Sequence, residues 1–354
     1  MPKGFGGAGS SELVEVDNLT RRYGDIVAIS GVTFQAREGE ILGFLGKNGA
    51  GKTTTMRIMT GFMPASSGTV RIGGADIRTA SLEARRQIGY LPETAPVYDD
   101  MSVAAYLAFC ANLRHVPPKE VPTRVEQAMR SVHIDERRSW QIGKLSKGLR
   151  RRVGLAQALV HNPRVLILDE PTEGLDPEQI IEIRNLILGL RGDHTIILST
   201  HILSEAQMLA DRIVIIDRGV VVAVDTTENL THAVQQTDRL RVQVDGPARD
   251  VEARLRSLAG VREVTRLEGA PPRFMLEGDR ETDLRASLAE TIVKAGWGLL
   301  ELERVEATLE DVFLQITAQS RTNGRAPTSD AAPEPPDALE TTSNPTDESE
   351  EVSA

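Results

Sequence analysis

The sequence predicts an α/β protein, because strand-like and helix-like segments alternate through most of its length. An apolar run at residues 40–45 ends in a glycine-rich turn, and residues 53–60 beyond that turn have a helical pattern. Short β-branched runs at residues 165–168 and 195–198 are typical of parallel strands that are buried on both faces. This alternation predicts a mainly parallel sheet covered by helices over residues 12–230.

The other elements of this region follow from the spacing of its apolar residues. We expect strands at residues 13–16, 27–29, 32–34 and 69–72. Residues 213–216 and 220–224 flank the turn 217–219 and predict a hairpin. A mostly helical segment is expected over residues 102–160, interrupted at Pro117 and Pro118, and it forms the main part of a helical subdomain at about 94–160.

A different pattern begins after residue 235. Strand and helix signals occur in the order β-α-β-β-α-β through residue 302, which is typical of a small ferredoxin-like α+β domain, and we place this domain at 235–318. A capping-box pattern at residues 308–311 opens a last helix. Residues 1–11 are rich in glycine and serine and are expected to be flexible, whereas residues 319–354 are expected to be a disordered acidic tail.

Length and composition exclude several classes of protein. The chain has 354 residues, of which 40% are hydrophobic and 26% charged, so collagen-like, coiled-coil and wholly disordered proteins are excluded. The formal net charge is −10 and no basic groove is evident, so we expect no nucleic-acid partner. Cys110 is the single cysteine, which excludes an internal disulfide, and we expect it to be a small buried hydrophobe or an inert thiol. Neither a signal peptide nor an apolar run of membrane-spanning length is evident.

The glycine-rich turn carries a phosphate-binding motif. Residues 46–53 read Gly-Lys-Asn-Gly-Ala-Gly-Lys-Thr and fit G-x-x-x-x-G-K-[ST]. We expect the glycines to let backbone N–H groups approach phosphate oxygens and to allow positive φ. Lys52 is expected to contact the β and γ phosphates, and Thr53 to offer its hydroxyl to Mg²⁺. The predicted ATP-binding residues of this loop are Gly46, Lys47, Asn48, Gly49, Ala50, Gly51, Lys52, Thr53 and Thr54.

Two carboxylates follow the apolar strand at 165–168. Ligands of open α/β sheets bind at the carboxyl ends of the strands, so Asp169 and Glu170 are candidates for chemistry there. Asp169 is predicted to bind Mg²⁺, directly or through water. Glu170 points elsewhere and is predicted to orient or deprotonate an attacking water. The alternative is that both acids cap the next turn.

The residues before that strand carry a family resemblance. Residues 145–153 read Leu-Ser-Lys-Gly-Leu-Arg-Arg-Arg-Val, and with both phosphate motifs they resemble the ATP-binding subunit of an ABC transporter. The family signature reads Leu-Ser-Gly-Gly-Gln, so Lys147 and Leu149 depart from it. That departure, with residues 88–97, 172–178 and 307–314, resembles the ABC-2-type branch, especially the ATPases of gliding-motility-associated and multidrug-type exporters. The implied fold is a P-loop NTPase of the ABC ATPase type.

The resemblance implies further roles for single residues. Tyr23 stands where the family stacks an aromatic ring on adenine, and Thr54 where it contacts the α phosphate. Glu93 occupies the place of a glutamine that senses Mg²⁺ and contacts the permease, and a carboxylate there can bind Mg²⁺ but cannot donate an amide proton. Asp176 matches an aspartate that couples two sites. His201 matches the switch histidine that contacts the γ phosphate, and with Glu170 it completes the predicted catalytic pair.

The resemblance also implies partners. Each ATP of the family is clamped between the phosphate loop of one subunit and Ser146 and Gly148 of another, so we expect a dimer, most simply a homodimer. The implied second partner is an integral membrane ABC-2-type permease, with residues 94–135 as the docking surface. The chain is then cytoplasmic and peripheral on the inner face of the cell membrane. Its implied cofactors are ATP and Mg²⁺.

Two other functions compete with ATP-driven export. The first is a non-transport ABC ATPase that acts on the ribosome or on DNA. Such proteins normally carry two ATPase domains or an inserted coiled coil, and the sequence shows neither pattern. The only basic triplet, Arg150-Arg151-Arg152, is interpreted as a solvated helix start. The second is a module that senses ATP without hydrolysing it, and the presence of Glu170 argues against this function.

Overall fold

A computed structural model of the chain describes residues 12–234, 237–279, 284–305 and 309–322. Its strands are β1 (Glu12–Tyr23), β2 (Ile26–Arg37), β3 (Ile41–Leu45), β4 (Ser67–Ile72), β5 (Ala75–Asp76), β6 (Ile88–Leu91), β7 (Val165–Asp169), β8 (Thr195–Thr200), β9 (Arg212–Asp217), β10 (Val220–Asp225), β11 (Thr237–Asp245), β12 (Val261–Leu267), β13 (Arg273–Asp279) and β14 (Gly298–Val305).

The helices are α1 (Lys52–Met59), α2 (Ser81–Arg86), α3 (Val103–Leu113), α4 (Val121–Ser131), α5 (Lys147–Leu159), α6 (Pro177–Gly189), α7 (Leu203–Leu209), α8 (Thr227–Val234), α9 (Ala248–Arg256), α10 (Leu284–Lys294) and α11 (Leu309–Thr322). Two 3-10 turns lie at Asp135–Arg137 and Ile142–Lys144. The helical segment predicted at residues 102–160 is therefore present, with its break between α3 and α4.

A six-stranded sheet forms the centre of residues 12–234. Its order is β10-β9-β3-β8-β7-β6, and every neighbouring pair is parallel except β10 with β9. Strand β7 is buried on both faces: Val165 and Ile167 face one apolar core, and Leu166 and Leu168 face the other, on the side of the helices α3 to α5. The predicted α/β class is confirmed, and β6 is an edge strand that the apolar pattern did not predict.

A second, antiparallel sheet packs against this core in the order β2-β1-β4-β5. The two strands predicted at residues 27–29 and 32–34 are one strand, β2. Gly31 lies between them with φ of +64°, and the register of β1 and β2 shifts at several points. The glycine therefore bends the strand without ending it.

The carboxyl-terminal elements follow the predicted β-α-β-β-α-β order. They form an antiparallel sheet in the order β12-β13-β11-β14, with α9 and α10 packed over an apolar core that includes Val242, Phe274 and Leu288. Helix α11 instead packs Leu309, Val312 and Phe313 among core residues of α7, β9 and α8. The last helix thus returns to the first domain.

The predicted start of the acidic tail at residue 319 is wrong by four residues. Helix α11 continues to Thr322, because its buried face extends beyond Phe313 to Thr317, which is 3% exposed and hydrogen-bonds to the Phe313 carbonyl. The predicted flexible residues 1–11 and the remainder of the predicted tail, 323–354, lie outside the described residues.

Candidate functional site

The phosphate-binding motif forms the turn between β3 and α1, at the carboxyl edge of the central sheet. Gly49 and Gly51 have φ of +77° and +105°, a conformation that favours glycine. Lys47, Asn48 and Gly49 are exposed, whereas Gly46 and Ala50 are buried. Gly51 is the N-cap of α1, so the positive end of the helix lies at the loop. The loop can therefore present N–H groups to an anion.

The positive φ expected of the loop glycines is absent at Gly46, which packs closely against β9. A Cβ atom at this position would lie 2.6 Å from the Ile216 carbonyl oxygen and 2.8 Å from Ile216 Cγ2. The loop thus needs glycine here to pack against β9. At Gly49, by contrast, a Cβ atom would meet nothing within 4 Å, and only its φ requires glycine.

Lys52 is held beneath the loop. Its Nζ donates hydrogen bonds to the carbonyls of Gly46, at 2.8 Å, and Lys47, at 3.3 Å, and lies 3.1 Å from Glu170 Oε1. The side chain is only 5% exposed. The loop carbonyls thus hold the ammonium group beneath the loop, next to the predicted phosphate site.

Asp169 ends β7 opposite the loop. Its Oδ1 accepts hydrogen bonds from Ser199 Oγ at 2.5 Å and Thr53 Oγ1 at 3.3 Å, whereas the buried Oδ2 has no partner among the described residues. Burial raises the pKa of Asp169, and the hydrogen bonds from Ser199 and Thr53 oppose that shift. A buried carboxylate oxygen without a partner beside a threonine hydroxyl fits Mg²⁺, which prefers hard oxygen ligands.

Both the backbone and the side chain of Glu170 are held by contacts with neighbouring residues. Its backbone adopts a φ of +45°, which is unusual for a residue with a side chain. The N–H donates to Ser199 Oγ at 2.9 Å, and the two carboxylate oxygens face Lys52 Nζ at 3.1 Å and His201 Nδ1 at 3.0 Å. The carboxylate is thus aimed at the space between the phosphate loop and His201.

His201 follows β8, the strand next to β7. Its Nε2 lies 3.8 Å from Glu173 Oε2, and the side chain is 33% exposed. Glu170, Glu173 and His201 bring one ligand-type atom each to within 4.8 Å of one another. The sequence placed Glu170 and His201 in one site, and the structure brings them into direct contact.

Two further residues of the site were missed in the sequence. Ser199 contacts Asp169 and Glu170. Its position in an apolar strand shortly before the predicted histidine was the sequence signal that could have identified it as a site residue. Arg151 donates to the carbonyls of Pro92, Glu93 and Glu170.

The interpretation of Arg150, Arg151 and Arg152 as a solvated helix start is wrong, because two of these three side chains are mostly buried. Arg151 is 6% exposed, and the Arg152 side chain is 12% exposed and pairs with Glu182. Only Arg150 has substantial exposure, at 38% of its side chain. The triplet begins the second turn of α5, which packs on the central sheet, so two of its three side chains face inward.

Glu93 and Tyr23 lie at the margins of the site. The Glu93 side chain is exposed, while its carbonyl accepts from Arg151 at 2.5 Å. Tyr23 ends β1, where its hydroxyl lies 3.1 Å from Met63 Sδ and the Arg21 guanidinium lies 4.7 Å from its ring centre. Thr54, in the first turn of α1, is half-buried.

The other predicted residues lie at two helix starts. Ser146 caps α5 by accepting from the Leu149 N–H at 3.3 Å, and Asp176 caps α6 by accepting from the Gln179 N–H at 3.0 Å. Gly148 lies under Gln179, since a Cβ atom on it would lie 2.3 Å from the Gln179 side-chain oxygen. These contacts are with helix ends and not, among the described residues, with the phosphate loop.

Known proteins are similar to this chain in sequence and in fold. The family model for the ABC transporter matches residues 29–173. The linearmycin resistance ATP-binding protein LnrL of Bacillus subtilis (strain 168) is 30% identical over 309 residues, which cover 87% of this chain and 99% of that protein. The Nod factor export ATP-binding protein I of Ralstonia nicotianae is 32% identical over 319 residues, covering 88% and 96%.

A solved structure gives the same result. The structure of an ATP-binding subunit of an ABC transporter aligns with a TM-score of 0.57 and 31% identity, covering 62% of this chain and 92% of that one. Since relatives at this identity match nearly their whole length, the family is established. The chain belongs to the ATP-binding proteins of the ABC transporter family and is an ABC ATPase.

Proposed function

We propose that the chain hydrolyses ATP to drive an ABC-2-type membrane exporter, and that it works as a dimer. The proposal of ATP hydrolysis rests on the position of Glu170, whose two carboxylate oxygens lie between Lys52 and His201. Among the described residues, no helix has both the length and the apolar character needed to cross a bilayer.

The phosphate loop binds the β and γ phosphates in this proposal. Backbone N–H groups around Gly49 and the positive end of α1 attract the anion, and Lys52 supplies the cation. Lys47, Asn48, Gly49, Ala50 and Thr54 complete the cradle, and the ring of Tyr23 stacks on adenine. When Mg²⁺ is bound by Asp169 and Thr53, it neutralises charge on the phosphate oxygens.

Glu170 acts as the general base. It accepts a proton from the water that attacks the γ phosphorus, and the bond to the bridging oxygen breaks to leave ADP and inorganic phosphate. His201 orients the Glu170 carboxylate through the 3.0 Å contact and also contacts the γ phosphate in this proposal. Glu93, on the segment held by Arg151, reaches Mg²⁺ or the permease.

A second subunit completes each site. Ser146 and Gly148 lie at the start of α5, so their N–H groups and the helix dipole can meet the γ phosphate of the partner subunit. Asp176 lies on the loop after Glu170 and couples the two sites. ATP binding then closes the dimer, and hydrolysis opens it.

The helical subdomain supplies the surface for the permease. Within residues 94–135, Tyr98, Phe109 and Leu113 are 56%, 38% and 61% exposed, and the rings of Tyr98 and Phe109 lie edge to face at 5.8 Å. An exposed apolar group of this kind is typical of a protein interface. The name of one relative, a Nod factor export protein, supports export as the direction.

The experiment is affinity purification of the tagged chain from detergent-solubilised membranes. We expect it to retain a polytopic membrane protein and to show ATP turnover that Glu170→Gln abolishes. Retention of ribosomes or DNA in place of a membrane protein would instead support the non-transport ATPase. Turnover that persists undiminished in the Glu170→Gln variant would remove the base assignment.

A further inference from the structure

Helix α5 contains a charged side chain that is almost entirely buried. Arg151 is 6% exposed, although it lies in a helix whose other inward residues include Val153, Leu155 and Ala158. Desolvation of a guanidinium is unfavourable unless its donors are satisfied. Burial lowers the pKa of Arg151, and the charges of Glu93, Asp169, Glu173 and Glu170 oppose that shift. A residue whose only task was to fill the core would not need this charge.

The Arg151 donors converge on two loops. Nη1 donates to the carbonyls of Pro92 at 3.0 Å and Glu93 at 2.5 Å, and Nη2 donates to the carbonyl of Glu170 at 2.6 Å. The first two carbonyls follow β6 and the third follows β7, and these strands are parallel neighbours. One planar guanidinium therefore joins two loops at the carboxyl edge of the sheet, and a lysine ammonium lacks this fork geometry.

The contact with Glu170 is made at its strained backbone. Glu170 has a φ of +45°, and its peptide groups are fixed on one side by Ser199, which accepts from the N–H, and on the other by Arg151, which donates to the carbonyl. A non-glycine residue persists in this conformation only where its surroundings impose it. The direction of the Glu170 side chain depends on that backbone conformation.

We infer that Arg151 is a positioning residue for hydrolysis, which holds the Glu170 backbone so that its carboxylate faces the attacking water and holds Glu93 beside it. Arg151 does not touch the nucleotide in this arrangement; it acts through Glu170. The inference rests on the proposed role of Glu170 as the base. It predicts that loss of the guanidinium lowers kcat and leaves ATP affinity nearly unchanged, because the three carbonyls that Arg151 holds lie outside the phosphate loop and the Glu170 charge beside Lys52 is kept.

The test compares three variants of the full-length chain. For Arg151→Gln we expect kcat to fall by about 10- to 100-fold, the range that a small misplacement of a catalytic group produces. The Kd for ATP, measured by equilibrium binding, should change by less than about 3-fold. Arg151→Lys should recover part of the lost kcat, since an ammonium can donate to some of the carbonyls but not in the same fork geometry.

The matched control is Arg152→Gln, one residue along the same helix. Its guanidinium pairs with Glu182 on α6, and we expect kcat within about 2-fold of wild type. Unchanged kcat in Arg151→Gln, or equal losses of kcat and of ATP affinity, would overturn the inference.

If Arg151→Gln does not fold, Arg151→Lys decides by the same two measurements: a kcat loss with unchanged Kd supports the inference, and wild-type kcat overturns it. A wild-type chain that binds ATP without hydrolysing it would instead overturn the proposed function, and the inference with it.

Discussion

Glu170 Oε1 lies 3.1 Å from Lys52 Nζ, and the two side chains are only 9% and 5% exposed. The proposed base and the proposed phosphate ligand are thus an ion pair in a poorly hydrated place, where charges interact more strongly than at the surface. A phosphate that binds Lys52 competes with Glu170 for the same ammonium. Nucleotide binding therefore has to weaken the ion pair between Glu170 and Lys52. The Glu170 carboxylate then keeps its contact with His201.

The first prediction concerns ATP binding by Glu170→Gln. This change removes the competing charge, so we expect the Kd for ATP to fall by about 3- to 10-fold, equivalent to roughly 1 kcal/mol. Turnover should fall by at least about 100-fold, because the amide cannot accept the proton. Equilibrium binding and steady-state phosphate release measure the two effects separately.

Glu178→Gln is the control for that change in charge. Glu178 is exposed in the first turn of α6, and its replacement should leave both quantities within about 2-fold of wild type. Weaker ATP binding by Glu170→Gln would mean that the carboxylate orders Lys52 for the phosphate and does not compete with it.

The second prediction concerns Ser199, which donates to Asp169 Oδ1 at 2.5 Å and accepts from the Glu170 N–H at 2.9 Å. Ser199→Ala leaves that buried N–H without a partner, so we expect a loss of about 1–3 kcal/mol of unfolding free energy. It also releases Asp169, so the Mg²⁺ concentration for half-maximal turnover should rise by about 10-fold. A Mg²⁺ titration at saturating ATP measures this shift.

Binding of ATP in the presence of EDTA provides the internal control for Ser199→Ala. Metal-free ATP binding depends on the phosphate loop and not on Asp169, so it should stay within about 2-fold of wild type. An unchanged Mg²⁺ requirement would show that Ser199 supports only the fold.

The phosphate loop and the two acidic residues after the apolar run of β7 could be predicted because each group lies in one short, continuous segment of the sequence. The phosphate loop is contiguous, and Asp169 ends a strand whose apolar run predicts its place in the sheet, with Glu170 directly after it. The contact of His201 with Glu170 follows from the neighbouring positions of β7 and β8. Local pattern was enough for the phosphate loop, Asp169 and Glu170, whereas the role of His201 came from the family resemblance.

Arg151 could not be placed in the same way, whereas Ser199 was missed although its position in the strand before the predicted histidine was a signal. Arg151 contacts carbonyls of residues 58 and 19 positions away, and a backbone carbonyl leaves no trace in the side-chain pattern. In a basic triplet on a helix, charge alone predicts exposure, and only the packing of α5 on the sheet turns Arg151 inward. Strand β6 was missed for a related reason, since four residues at a sheet edge give little periodicity.

The third prediction concerns His161, which hydrogen-bonds to the Ile88 carbonyl at 2.9 Å through Nε2. Burial, and then the charge of Arg114, lower the pKa of His161 from 6.5 to about 4. The unfolded chain therefore takes up a proton at a pH where the folded chain does not. The stability that this imidazole contributes is complete above the unfolded pKa and is lost as the pH falls from about 6.5 towards about 4.

Urea unfolding at several pH values tests this dependence. Between pH of about 7.5 and about 5 the His161 contribution should account for up to about 2 kcal/mol of the wild-type loss. His161→Gln keeps an amide donor for the Ile88 carbonyl but does not titrate, so its stability should fall less steeply over this range. Equal slopes in His161→Gln and wild type would contradict the prediction.

The fourth prediction separates packing from backbone conformation in the phosphate loop. In Gly46→Ala the new Cβ atom would lie 2.6 Å from the Ile216 carbonyl oxygen, which belongs to the backbone of β9 and cannot rotate away. The loop or the strand must shift, so we expect a loss of about 1–3 kcal/mol of unfolding free energy and weaker ATP binding. Gly49→Ala adds no clash within 4 Å and should lose only about 1 kcal/mol, from its φ of +77°.

Gly189→Ala is the control for both loop variants. Gly189 is the last residue of α6, where a Cβ atom would have open space and φ is not positive, so alanine should leave stability unchanged or raise it by up to about 1 kcal/mol. Thermal unfolding with and without ATP ranks the three variants. If Gly49→Ala were more damaging to stability than Gly46→Ala, the backbone conformation of the loop, and not its contact with β9, would be the feature that requires glycine most.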